Sequence, residues 1–130
     1  MSQLTSVPSA HGFADTVSRV EQRIAALGVR LFARIDHAEN AREVGLQLPP
    51  TTVLVFGAAR GGTPVMNANP DIAYELPLRL LIRQREDQVE LLYRPIDDLA
   101  AEYGVPEEVI APLRLVEKIV AAAAAPATTS

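Results

Sequence analysis

The most constraining feature of the sequence is a change of hydrophobic period at Gly28. After this residue, from Val29 to Ile35, alternate residues are apolar, which is the pattern of a half-buried strand. Gly28 itself stands where a residue that ends a helix must adopt positive φ. Before it, apolar residues recur at helical spacing and form one stripe, made of Phe13, Val17, Val20, Ile24 and Leu27. The sequence therefore predicts a helix that packs on a strand.

Composition narrows the class of protein. A chain of 130 residues fits one domain, and the lack of cysteine excludes disulfides and thiolate chemistry. The net charge of -4 argues against a nucleic-acid partner, which needs a basic surface. No apolar run has the length of a membrane span, and Met1–Ala10 lacks the pattern of a signal peptide. We therefore expect a cytoplasmic protein with no membrane partner.

The remaining pattern predicts the domain organisation. Residues 1–10 form an N-terminal segment with a candidate first strand, residues 11–122 a single domain, and residues 123–130 a disordered tail. Val53–Phe56 is a continuous β-prone run, which predicts a central strand buried on both faces. Two alternating runs near residues 76–83 and 89–94 predict a hairpin. The expected fold is α+β, with a mixed β-sheet, helices mainly on one face and the order β-α-β-α-β-α-β-β-α-α.

A loop of small residues, 57–63, follows the predicted central strand. Thr63 is a good N-cap and Pro64 a good first helical residue, so a helix is expected to start there. The backbone amides of residues 61–63 and the charge of Arg60 favour a bound anion, although neither a Walker A loop nor a dinucleotide fingerprint is present. The alternative is a tight turn that needs glycine for positive φ. The candidate ligand-binding residues are Gly57, Arg60, Gly61, Gly62, Thr63 and Met66.

Asp36 and His37 are the candidate catalytic residues. A carboxylate beside an imidazole can orient it for proton transfer. The alternative is structural, because Asp36 and Glu39 have the spacing of a helix N-cap and its N3 partner. No metal site is expected, since two histidines and no cysteine cannot build a nitrogen-rich site within one chain. The sequence contains no recognisable Ser/His/Asp triad, and it does not identify a cofactor.

Three stretches resemble a known family. They are 33–37 with Ala41 and Gly45, then 54–57 with 61–66, then 76–79. In order and spacing these stretches are similar to the domain-of-unknown-function family number 302, from about Phe13 to Tyr103. The resemblance implies a small α+β domain, commonly dimeric, and supplies no established substrate, cofactor or catalytic residue.

One departure from the family pattern falls in the small-residue loop. Similar sequences often carry Asn or Ser and then Pro after the glycine that matches Gly57. Here Ala58 and Ala59 stand there. A ligand contact from a polar side chain at that point would be missing, which leaves only backbone donors.

Apolar residues are also expected on the second face of the sheet, namely Phe32, Leu81 and Leu92, and they predict a homodimer.

The Asp36–His37 corner and the 57–63 loop each follow a predicted strand. If these two strands are parallel neighbours, the corner and the loop meet at one end of the sheet. Three hypotheses follow. The chain binds a small ligand in a pocket near the 57–63 loop, or it is an enzyme that uses His37 as general acid or base, or it is a structural homodimerisation module.

Overall fold

Five strands and six α-helices make up residues 4–127, the part of the chain that this computed structural model describes. The strands are β1 (Thr5–Pro8), β2 (Arg30–Asp36), β3 (Thr51–Gly57), β4 (Leu78–Arg85) and β5 (Gln88–Tyr93). The helices are α1 (Phe13–Ala26), α2 (His37–Glu43), α3 (Ala59–Ala68), α4 (Ile96–Tyr103), α5 (Glu107–Ile110) and α6 (Leu115–Ala124). Two short 3₁₀ helices cover Pro70–Glu75 and Ala111–Arg114. The predicted α+β class and the order of the main elements are confirmed.

The sheet has the strand order β1-β5-β4-β3-β2, and each neighbouring pair is antiparallel. The predicted mixed sheet is therefore wrong. The reason lies in α2, whose seven residues rise about 10 Å. The seven residues of β2 extend about 23 Å, so α2 by itself cannot carry the chain back along the strand. The 44–50 segment instead turns the chain at the same end of the sheet, where Asp36 lies opposite Thr52, and β3 returns antiparallel to β2. The prediction that β3 is an interior strand is confirmed, since it pairs with both β2 and β4.

The hydrophobic core lies on one face of this sheet, under α1 and α6. Leu54 and Phe56 of β3 are 0% exposed, and Leu80 and Ile82 of β4 are equally buried. The apolar stripe of α1 faces them: its middle residues Val17, Val20 and Ile24 are buried, and Phe13 packs against the core at its edge. Leu27 is 49% exposed, because the helix ends at Ala26 and Leu27 is already its C-cap. The predicted stripe is right except at this last position.

The second face of the sheet carries a row of aliphatic side chains at matching register. Ile35 lies opposite Val53, Val53 opposite Leu81, and Leu81 opposite Leu92, so the second-face row crosses four strands. Leu92 is buried, whereas the other three are half-buried, so the prediction that β3 is buried on both faces is wrong. A β-bulge between Leu31 and Ala33 interrupts the alternation of β2 at Phe32, which is 49% exposed.

The ends of the described chain refine the predicted boundaries. β1 pairs with β5 as an edge strand, so the first segment is part of the sheet. At the other end α6 runs to Ala124, and both Ala123 and Ala124 are buried. These two residues therefore belong to the domain and not to the predicted tail. The predictions for residues 1–3 and 128–130 lie outside the described residues.

Replacement of Leu54 by alanine tests the core. We expect Leu54→Ala to lower the free energy of unfolding by about 2–5 kcal/mol, because it leaves a cavity at a fully buried site. Leu46→Ala is the matched control: Leu46 is 64% exposed, and its loss should change stability by no more than about 0.5 kcal/mol. Urea unfolding followed by circular dichroism measures both. Equal effects of the two changes would contradict the assignment of the core.

Candidate functional site

A cavity of about 700 Å³ lies at the end of the sheet where β3 ends and β4 begins. Four separate parts of the chain line it. They are the α1–β2 junction (Leu27, Val29, Phe32), the β3–α3 junction (Gly57, Ala58, Ala59, Arg60, Gly61, Gly62, Thr63, Met66), the residues leading into β4 (Leu76, Pro77, Leu78) and the segment that leads into α6 with its first residue (Pro112, Leu113, Leu115). The cavity is therefore formed by tertiary packing and not by one loop.

All six residues proposed from the sequence as ligand-binding line this cavity. They lie together because the 57–66 segment turns from the end of β3 directly into α3. That they bind a ligand stays a prediction. Ala58 and Ala59, which also line the cavity, lie between Gly57 and Arg60. The other lining residues were missed, since they come from parts of the chain that are distant in sequence. The only local signals were Leu27, an apolar residue just past a helix, and Pro112, a proline within a helical pattern.

The start of α3 differs from the prediction. The helix begins at Ala59 with Ala58 as N-cap, so Thr63 and Pro64 lie inside it. The amides of Gly61 and Gly62 both donate to the Ala58 carbonyl oxygen, at 3.1 and 2.9 Å, and form a first turn before the proline. A proline inside a helix removes its own amide donor and crowds the carbonyl group four residues before it, yet here the helix continues through Pro64 to Ala68. The two glycine amides are thus already bonded, and the predicted anion site made of them is wrong.

Close packing, and not a turn, explains one of these glycines. The glycines with positive φ are Gly28, Gly45 and Gly104, so the interpretation of Gly61 and Gly62 as a left-handed turn is wrong. A Cβ atom added at Gly61 would lie 3.0 Å from the Cβ atom of Pro112. Gly61 therefore lets the first turn of α3 approach the 3₁₀ helix Ala111–Arg114, which closes one side of the cavity.

An ion-pair network around Arg114 holds this wall in place. The guanidinium contacts Asp97 of α4, Glu107 of α5 and Glu117 of α6, with Nε 2.9 Å from Glu107 Oε2 and Nη1 2.9 Å from Glu117 Oε2. The hydrogen bond to Glu107 raises the pKa of Arg114, and the same bond lowers the pKa of Glu107. Three helices are thereby tied to the residue that follows Pro112 and Leu113.

A second network fixes the segment that leads into β4. The Tyr103 hydroxyl donates to Glu75 Oε2 at 2.7 Å, and Arg94 Nη1 lies 3.0 Å from Glu75 Oε1. The hydrogen bond to Glu75 is the main cause that raises the pKa of Tyr103 to about 12. Glu75 ends the 3₁₀ helix, and the next two residues, Leu76 and Pro77, are joined by a cis peptide bond and line the cavity. This network therefore positions the opposite wall.

The chemistry of the cavity is mainly apolar. Among the described residues that line it, Arg60 is the only charged one, and Thr63 carries the only side-chain hydroxyl. Phe32 contributes an aromatic wall, and the guanidinium carbon of Arg30 lies 4.9 Å from the centre of its ring. Such an arrangement can bury an apolar group and meet a polar or negative one at its edge.

The Asp36–His37 corner lies at the other end of the sheet. Asp36 is opposite Thr52 at the start of β3, whereas Gly57 at its end is opposite Arg30. Thr52 and Gly57 are five positions apart along β3, a distance of about 17 Å. The predicted pocket shared by this corner and the loop is therefore wrong, because β2 and β3 are antiparallel and not parallel.

The side chains of this corner support the capping interpretation. The Asp36 carboxylate accepts a hydrogen bond from the Glu39 amide at 2.9 Å and so caps α2, as the spacing predicted. Asp36 and His37 are both exposed, and neither lines the cavity. The geometry gives no support to catalysis by His37.

Within residues 4–127, no group of three or more histidine or acidic side chains is placed to hold a metal ion. Nor does any helix in this range combine the length and the apolar character needed to cross a membrane.

Comparison with known proteins gives a family and a fold. The sequence profile of the family "Domain of unknown function DUF302" matches residues 5–123. The crystal structure of an uncharacterized conserved DUF302 protein from Bacillus stearothermophilus superimposes with a TM-score of 0.77 at 20% identity, over 95% of this chain and 97% of that one. At this identity the superposition shows the fold alone.

Two curated relatives match part of the chain. "Fluoride-specific ion channel FluC 1" of Brucella suis is 40% identical over 80 residues, which are 62% of this chain and 32% of that protein. "Fluoride-specific ion channel FluC 2" of Brucella melitensis has the same identity over 80 residues, which are 30% of its length. The chain thus spans about a third of the curated relatives it matches.

The two glycines of α3 provide a matched test of the close approach to Pro112. Alanine is favoured over glycine inside a helix by about 0.5–1 kcal/mol, and a Cβ atom at Gly62 meets its neighbours at an ordinary 3.8 Å. We therefore expect Gly62→Ala to raise the free energy of unfolding. Gly61→Ala should give a smaller gain or a loss, because Pro112 must move. Urea unfolding compares them, and equal stabilities would contradict the packing described here.

Proposed function

The chain belongs to the family of domains of unknown function DUF302, and from the geometry of its cavity we propose that it binds a small, mainly apolar molecule at the end of the sheet. The observation that carries this proposal is the cavity of about 700 Å³, which the predicted ligand-binding residues line. Binding pockets for small molecules have volumes of roughly 300–1,000 Å³ and are lined mainly by apolar side chains with a few polar groups. The cavity matches this description in size and in lining.

The way the walls are held also supports a binding site. Arg114 ties three helices together on one side, and Glu75 ties the 3₁₀ helix to Tyr103 and Arg94 on the other. Walls fixed by such networks keep a cavity open before a ligand arrives, and this lowers the entropy lost on binding. A second cavity of about 290 Å³, near Tyr74, is smaller, and two of its charged groups, Glu75 and Arg94, already pair with each other.

The name of the Brucella relatives suggests a different ligand, fluoride. A small anion is held in proteins by several hydrogen-bond donors that replace its water. The lining here offers mostly aliphatic and aromatic carbon, and the amides of Gly61 and Gly62 are already bonded. The cavity therefore favours an apolar molecule over fluoride.

A neutral fluorescent probe, phenylnaphthylamine, tests the proposal. We expect it to bind the wild-type chain with an increase in fluorescence and to bind Leu27→Glu about tenfold more weakly. The reason is that a carboxylate at the cavity wall must lose water when an apolar molecule packs on it. Leu46→Glu is the matched control, since Leu46 is similarly exposed and lies outside the cavity lining.

The outcomes separate the cavity from other apolar surfaces. Weaker binding in Leu27→Glu alone supports the cavity as the site. No binding to the wild type, or equal binding to both variants, would show that the cavity is not a site for apolar molecules. Circular dichroism of each variant shows whether the fold is kept.

We also propose that the second face of the sheet pairs with a second copy of the chain in the cytoplasm. The observation that favours this is the second-face row, in which Ile35, Val53 and Leu81 are half-buried on adjacent strands. A continuous apolar row across a sheet is stabilised when another sheet packs about 10 Å from it. Arg79 and Arg83 flank this row on β4 and would form a polar rim.

Light scattering at micromolar concentration tests the dimer. We expect the wild-type chain to have twice the mass of one chain and Leu81→Arg to be a monomer, because a buried unpaired charge opposes association. Leu46→Arg adds the same charge at an exposed site outside the row and should leave the dimer intact. A monomeric wild type would refute the proposal.

A further inference from the structure

The chemistry at the edge of the cavity narrows the class of ligand. Resting on the proposed ligand cavity, we propose that its ligand is an organic anion with an apolar body, such as an aliphatic carboxylate, whose charged end lies beside Arg60. Three observations support this proposal: Arg60 has no partner among the described residues, Arg30 lies against the aromatic wall of the cavity, and the chain as a whole is negatively charged.

The Arg60 guanidinium has no partner among the described residues. Arginine side chains in this protein usually have one. Six of them pair with carboxylates within residues 4–127, namely Arg34, Arg42, Arg83, Arg85, Arg94 and Arg114. The one charged residue in the cavity lining is thus available to bind a carboxylate from outside the chain, and the planar guanidinium suits that group.

Arg30 adds a second positive charge near the same site. Its guanidinium carbon lies 4.9 Å from the centre of the Phe32 ring, and that ring lines the cavity. Arg30 is also the register partner of Gly57, which lines the cavity at the end of β3. Within the described residues no carboxylate pairs with Arg30. One cation without a carboxylate partner, Arg60, therefore lines the cavity, and a second, Arg30, lies against the aromatic ring of its wall. The lining contains no acidic residue among those described.

The negative charge of the whole chain contrasts with the positive charge in the cavity lining. The chain has a net charge of -4, so its long-range field repels anions. A positive site on such a chain acts only over short distances, within about 10 Å at moderate salt. Recognition of a negative group must then come from direct contact with Arg60, the charged residue of the lining, while the apolar walls select the body of the molecule.

A matched pair of ligands tests the inference by displacement of phenylnaphthylamine. Octanoate and octanol have the same chain length and differ in charge. We expect octanoate to displace the probe from the wild-type chain at about tenfold lower concentration than octanol. In Arg60→Gln this preference should fall to about one, while octanol and the probe bind as before. Arg42→Gln removes the same charge at the opposite end of the sheet, where Arg42 lies in α2, and should keep the preference.

The outcomes distinguish this inference from the proposal on which it rests. If the probe binds but octanoate and octanol displace it equally, or if Arg60→Gln keeps the preference, the anionic class of ligand is wrong and the apolar cavity stands. If the wild type binds no probe and neither ligand, both are wrong. Raising the salt concentration should reduce the preference for octanoate in the wild type and leave octanol unchanged.

Discussion

The antiparallel pairing of β2, β3 and β4 is the constraint on which the rest of the structure depends. It places alternate residues of β3, Leu54 and Phe56, in the core and leaves Val53 and Val55 on the second face. It also sends the two ends of β3 to opposite ends of the molecule. The cavity forms at the end that holds Gly57, and the capped start of α2 lies at the other. The antiparallel pairing of these strands thus determines which residues are buried and which candidate site residues lie close together.

The position of α3 follows from this arrangement. Because β4 must return beside β3, the segment between them packs at the end of the sheet, where α3 lies against α5 and the two 3₁₀ helices. Gly61 lets this helix come close to its neighbours, since a Cβ atom there would lie 3.0 Å from the Cβ atom of Pro112. Gly57, Gly61 and Gly62 also line the cavity, so small residues border the open site.

Local sequence patterns predicted the helices and strands, but they did not predict how parts of the chain that are distant in sequence meet. The helical stripe ending near Gly28, the hairpin of β4 and β5, and the N-cap at Asp36 were all predicted, since each depends on residues close in sequence. The antiparallel direction of β3 relative to β2 was not predicted, because strand pairing depends on how far the segment that connects the strands can reach. The start of α3 was misplaced because Thr63 and Pro64 are residues that favour a helix start, whereas here they lie inside a helix that already begins at Ala59. Six cavity residues were predicted because they are consecutive or nearly so, whereas Pro112 and Leu113 reach the cavity only through the folded core.

The cavity and the second-face row occupy different parts of the sheet. Their separation bears on whether a ligand and a second copy of the chain could bind at the same time. The cavity lies at the end of the sheet that holds Gly57, whereas the second-face row crosses the strands at Val53 and Leu81. A second copy packed on Leu81 would leave the Gly61 end uncovered by that contact. The strand β3 nevertheless belongs to both, since Val53 lies in the row and Gly57 lines the cavity. A shift of β3 on binding of a ligand would reach the second face without any contact between the two sites. Ligand binding and dimerisation can therefore occur together, and coupling between them would require movement of this strand.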